Sequence, residues 1–101
     1  LPTYGHAGDG NVHTHILRRS IEGDTFGEEI SRWHDDLVTV RREVYDDTIR
    51  RGGVISGEHG VGLVKRNHIA ANLGADVIEM MRAVKTALDP MGILNPGKIL
   101  P

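Results

Sequence analysis

The chain has 101 residues and no cysteine. Disulfide scaffolds and thiolate-bound zinc or iron–sulfur centres are therefore excluded, and a reducing compartment is compatible. Aromatic residues are scarce, with one Trp, one Phe and two Tyr, so any core is mainly aliphatic. Charge leans neither way: 12 Lys and Arg stand against 14 Asp and Glu, a net charge of -2. With no long basic run, binding to nucleic acid through phosphate contacts is not expected. No apolar stretch approaches the roughly 18–20 residues that span a bilayer, and no charged start followed by an apolar run resembles a secretory signal. The length admits one small domain at most, since domains usually run to about 100–150 residues. Leu1 opens the chain without Met, in what reads as mid-strand, so the expectation is a piece of something longer.

Glycine and histidine are in excess, at 13 and six residues, where glycine usage is ordinarily about 7%. Their placement follows from the pattern around them. Residues 1–4 read as short and extended, and residues 5–11 as a glycine-rich loop. Residues 11–18 alternate as a strand, which puts His13 and His15 on one face. From Asp24 to Arg51 the stripe Phe26, Ile30, Trp33, Leu37, Val40, Val44 predicts one long amphipathic helix. Asp24 would be its N-cap, Glu28 and Glu29 its acidic first turns, and Gly52 its left-handed close. Val54–Ser56 is a short strand candidate, and residues 57–62 form a second glycine loop. Residues 63–73 read as a short irregular helix. Asp76 and Glu79 have capping-box spacing ahead of a helix whose face is Val77, Met81, Val84 and Leu88. Asp89-Pro90 ends that helix. Asp89–Gly92 suits a type I turn and Asn95–Lys98 a type II turn. The fold class this implies is α+β.

The two loops share one spacing. Gly5, Gly8 and Gly10 in GHAGDG, and Gly57, Gly60 and Gly62 in GEHGVG, both follow G-x-x-G-x-G. That is neither the dinucleotide fingerprint nor a P-loop. Glycines so placed permit positive φ and close backbone approach, which aims the side chains between them. Those side chains are His6, Asp9, Asn11, His13 and His15 at the first loop, and Glu58 and His59 at the second. Two imidazoles and a carboxylate with one position open is a recurring catalytic zinc arrangement. His6, His13 and Glu58 can supply it, and the alternative from spacing alone is surface or hydrogen-bonded histidines. Asp9 reads either as a support for a metal-bound His or as an Asp-Gly turn residue. His34 and His68 fall outside the motifs as surface or packing residues, and Lys65 and Arg66 read as solvated.

At GHAGDGNVHTH (5–15), SGEHGVGLVKR (56–66) and ALDPMGILNPGK (87–98) the sequence resembles the C-terminal region of FAD-linked oxidases of the vanillyl-alcohol-oxidase type, on the D-2-hydroxy-acid dehydrogenase branch. The resemblance implies the C-terminal part of a cap domain, with a few-stranded antiparallel sheet, a long amphipathic helix and a C-terminal helical segment. Residues 1–75 would be cap and 76–101 the last helix and NPGK tail. An FAD-binding N-terminal domain would lie outside this stretch, and the stretch alone would be inactive. The resemblance further implies a divalent metal, zinc by ligand type, on His6, His13 and Glu58. It makes His59 the general base, places His15 and Asn11 at the substrate, and brings Asn95 and Lys98 to the flavin, where the alternative is a plain turn. His15 stands where the hydroxyglutarate branch often has Asn, so a small 2-hydroxy acid such as lactate or glycolate is the expected substrate. The implied setting is cytoplasmic, peripheral to the inner membrane in a full complex, as a homodimer or a multi-subunit oxidase. Without a flavin, the same residues would suit a zinc hydrolase, although its H-E-x-x-H helix is missing. The long helix alone would suit a non-catalytic interaction domain.

Overall fold

Thr3–His6 (β1) and Asn11–Thr14 (β2) pair antiparallel around the four-residue turn Ala7–Gly10, in the computed structural model that describes residues 1–101. The ladder register places Tyr4 opposite His13 and His6 opposite Asn11. Opposed residues of an antiparallel pair share a face, so one face of this hairpin carries Tyr4, His6, Asn11 and His13. A further bond from the His15 amide to the Pro2 carbonyl (2.9 Å) continues the ladder. The strand expected over 11–18 is thus shorter, and Gly5 and His6, expected in a loop, belong to β1.

A second hairpin follows, Arg19–Glu22 (β3) with Thr25–Glu29 (β4). It corrects the expected helix start. Residues 25–29 are strand, and Asp24 is a turn residue rather than an N-cap. Gly23 has φ of 62°, and Gly-Asp between two paired residues is a two-residue hairpin loop. Turn geometry here overrides the apolar stripe, and Phe26 is left 66% exposed.

The long helix is Trp33–Arg50 (α1), with Asp35 and Asp36, not Glu28 and Glu29, as its acidic first turn. Within it the expected stripe holds: Trp33, Leu37, Val40 and Val44 form the half-buried side. Its C-terminus closes as anticipated. Gly52 has φ of 76°. Its amide reaches Ile49 (2.9 Å) and that of Gly53 reaches Thr48 (2.9 Å), the two bonds of a Schellman close.

Val54–Ser56 is not a strand. The Asn72 side chain takes the place of a partner strand, accepting from the Ile55 amide (2.9 Å) and donating to the Gly53 carbonyl (3.1 Å). Arg66–Leu73 (α2) and Ala75–Leu88 (α3) complete the order β1-β2-β3-β4-α1-α2-α3, an α+β fold. The capping-box reading of Asp76 is also corrected: Gly74 is the N-cap and no side chain caps α3. The inward side of α3 is Ile78, Met81 and Lys85, while Val77, Val84 and Leu88 are exposed. This helix is apolar on more than one side; the side with Ile78 is the buried one, and α3 is in contact with α2.

The chain divides into two compact units, Leu1–Asp46 and Asp47–Pro101. The first contains no buried residue. The second contains the buried core, Ile55, Ile69 and Ile78 (6%, 1% and 5% exposed), and the buried carboxyl of Asp89. No helix is long and apolar enough to cross a membrane.

Candidate functional site

In the first unit the β1–β2 face gathers ring side chains. His6 and His13 meet edge to face with centroids 5.4 Å apart. Two imidazoles bound to one tetrahedral ion at about 2.0–2.1 Å per nitrogen hold their centroids roughly 5 Å apart. The pair therefore fits two ligands of one metal. Tyr4 is stacked on His13 at 5.2 Å and on His15 at 5.1 Å. Its hydroxyl is hydrogen-bonded to Nε2 of His15 (2.9 Å). Sequence reading missed Tyr4. Folding TYGH back onto NVHT across the Gly-rich turn would have found it, since Tyr4 falls opposite His13.

The turn that aims these rings is closed by the Gly10 amide on the His6 carbonyl (2.9 Å). The Asp9 carboxylate accepts from the Asn11 amide (3.0 Å), so Asp9 acts here as a turn residue. Nδ2 of Asn11 is buried without an acceptor. Such a donor is costly unless a ligand or water completes it, which suits a substrate-binding position.

A cleft of about 360 Å³ in the same unit is lined by Thr14, Ile16, Trp33, Leu37, Arg41, Val44 and Tyr45. Burial raises the Tyr45 phenol above its ordinary pKa, and the Arg41 charge opposes that shift.

In the second unit, Glu58 and His59 sit on the glycine loop with Nε2 of His59 3.5 Å from Oε1 of Glu58, both side chains exposed. Gly57, Gly60 and Gly62 have φ of 53°, 74° and 54°, a run that L side chains resist. Lys65 donates to the Ser56 carbonyl at the loop entrance (2.7 Å). Burial lowers its pKa from the ordinary lysine value. Lys65 is thus a structural tie rather than a solvated side chain, and so is Arg66, whose Nη1 donates to the Gly97 carbonyl. Asn95 is exposed with φ of 46°, and Lys98 is half-buried with Nζ 3.4 Å from the Pro96 carbonyl. Both lie on the tail after α3, where Gly97 (φ 69°) occupies the position a type II turn requires. The Gly92 amide bonds the Asp89 carbonyl (3.0 Å) in the turn before it. A cationic donor and an amide on one turn suit hydrogen bonding to the electron-rich edge of a flavin.

A histidine pair and a Glu-His loop on an α+β scaffold offer the donor groups of a metal- or substrate-binding domain, and comparison with known proteins gives the family. Residues 2–99 match the family of FAD linked oxidases, C-terminal domain, and the chain belongs to that family. It is 43% identical over 100 residues to a D-lactate dehydrogenase of Archaeoglobus fulgidus, covering 99% of this chain and 20% of that protein. It is 40% identical over 98 residues to a D-2-hydroxyglutarate dehydrogenase of Stutzerimonas stutzeri, covering 95% and 19%. It is 38% identical over 100 residues to the glycolate oxidase subunit GlcD of Bacillus subtilis, covering 96% and 19%. The chain spans about a fifth of the length of these relatives.

Proposed function

We propose that the chain is the C-terminal domain of an FAD-dependent oxidoreductase that converts a D-2-hydroxy acid, of the lactate or glycolate type, to the 2-oxo acid. The observation that carries this reading is the His6–His13 pair, set on one hairpin face at the spacing of two ligands of one ion. Family membership and the three named relatives support the redox chemistry.

His6 and His13, with Glu58 of the second loop as third donor, would hold a divalent metal, zinc by ligand type. When bound, the metal supplies positive charge beside the substrate's 2-hydroxyl and carboxylate and favours loss of the hydroxyl proton. Asn95 and Lys98 would meet an FAD held mostly elsewhere, which when bound would supply the acceptor for the hydride from C2.

The chain's own residues do the rest. His59 takes the hydroxyl proton on its imidazole. Tyr4 occupies Nε2 of His15 and leaves Nδ1 of that ring to meet the substrate. Nδ2 of Asn11, which has no acceptor in the chain, donates to a substrate oxygen. We place the full protein in the cytoplasm, at the periphery of the inner membrane when part of a larger oxidase.

The test uses the purified full-length protein. It should be yellow, and anaerobic D-lactate or glycolate should bleach its flavin. His59→Ala should keep the flavin and slow bleaching by at least about a hundredfold. Absence of a flavin spectrum, or wild-type bleaching in His59→Ala, would refute the assignment.

A further inference from the structure

Lys65 and Arg66 are adjacent, and each grips a different segment of the second unit. Lys65 holds the Glu58–His59 loop through the Ser56 carbonyl (2.7 Å). Arg66 holds the tail through the Gly97 carbonyl, Nη1 to O at 2.8 Å. Nε of Arg66 is buried without an acceptor, so the Nη1 bond is where the guanidinium finds its acceptor. A second tie joins the same two segments directly, from the Ile99 amide to the carbonyl of Gly62 (2.9 Å), the last glycine of the loop.

The tail needs such ties. It has no regular structure after Leu88, and both Asn95 (φ 46°) and Ile99 (φ 67°) lie in the left-handed region. For a β-branched residue that is a true outlier, and it persists only where the surroundings over-determine it. The near end of the tail is fixed separately. Asp89 accepts from the amides of Ile93 and Leu94 (3.0 Å each), and Lys85 bonds both Asp89 and the Leu94 carbonyl (2.7 Å to the latter). The turn bearing Asn95 and Lys98 therefore hangs between the end of α3 and the start of α2.

We infer that Arg66 is a positioning residue, coupling the tail that presents Asn95 and Lys98 to the loop that presents Glu58 and His59. The inference rests on the function proposed above, in which the tail meets the flavin and the loop carries the base. Removing the guanidinium frees the Gly97 carbonyl and leaves the Ile99–Gly62 bond to hold the tail to the loop, so the turn loses its exact placement, and small misplacements of reacting groups are costly in rate.

The experiment is stopped-flow reduction of the flavin in the full-length holoenzyme, expressed per bound flavin. Arg66→Met should slow reduction about tenfold, and Arg66→Lys, which keeps a donor, should recover most of the rate. Arg82→Gln, which removes only a bond to the Pro101 carbonyl (3.2 Å), should reduce at the wild-type rate. A purely structural Arg66 would lower the yield of active protein and leave the rate per bound flavin unchanged, and that result overturns the inference. Should Arg66→Met lose its flavin altogether, Arg66→Lys decides: a wild-type rate supports the donor role, and a rate as low as that of His59→Ala overturns it. His59→Ala in the same assay separates the two layers. A wild-type rate there refutes the proposed function itself. A slow rate there beside a wild-type Arg66→Met refutes the coupling alone.

Discussion

In the first glycine loop only Gly10 lies in the left-handed region, at φ 72°, whereas in the second Gly57, Gly60 and Gly62 all do. The two loops have the same G-x-x-G-x-G spacing, but different physical needs fill it. Gly5 is a strand residue opposite Val12, and a Cβ there would run into the Asn11 carbonyl oxygen. Its glycine serves close cross-strand approach. The second loop has no ladder to close it and relies on backbone freedom, with Lys65 and Ile99 tying its two ends. The first loop is a turn that a sheet holds; the second is a turn that other segments hold.

Substitutions at matching glycines probe that contrast. Gly5→Ala should have the largest effect, because backbone must move. We expect a loss of about 2–3 kcal/mol, typical of overpacking, read as the thermal midpoint of the full-length protein. Lys65→Met should come next, costing about 1–2 kcal/mol for the lost charged hydrogen bond. Amide exchange should accelerate across residues 57–62 and not across residues 5–11. Gly60→Ala should cost about 1 kcal/mol for a left-handed alanine. Gly8→Ala, at the matching position with open space and no positive φ, should stay within about 0.5 kcal/mol of wild type. Equal effects at Gly8 and Gly60 would erase the distinction between the loops.

The last contrast is read across pH and concerns the anchor of the tail. The Lys85 ammonium, helped by the Ile93 and Leu94 amides, holds the Asp89 carboxyl below its ordinary pKa of 3.8, against the opposing effect of burial. A carboxyl depressed in the folded state stabilises fully above its unfolded pKa, and that contribution is lost as pH falls through the folded value. The wild-type advantage in thermal midpoint over Asp89→Asn should therefore be constant above about pH 5 and shrink on acidification below about pH 4. An advantage that grows on acidification would reverse the assigned sign.

The α+β class, the central stripe of α1 with its Gly52 close, and the end of α3 at Asp89 were legible in the sequence, because each rests on a local rule of periodicity or backbone conformation. The β3–β4 hairpin was not, since Phe26 and Ile30 fall in helical register with Trp33 while the deciding signal is the Gly23-Asp24 pair. The face of α3 was misread because Val77 and Ile78 are both apolar, and only tertiary packing chooses between them. Val54–Ser56 looked like a strand, but its backbone partner is the side chain of Asn72, which periodicity does not report. At the site, the shared face of His13 and His15, both stacked on Tyr4, was legible from alternation. Tyr4 was not, because its place depends on cross-strand register, and neither were the ties of Lys65 and Arg66, which reach carbonyls distant in sequence.

If His6, His13 and Glu58 serve one centre, the metal content of the purified full-length protein must depend on both glycine loops. The wild-type protein should carry about one divalent ion per chain. His13→Ala and Glu58→Ala, one from each loop, should each lose it while remaining folded. A full complement of metal in either variant, or none in the wild type, would contradict the shared site.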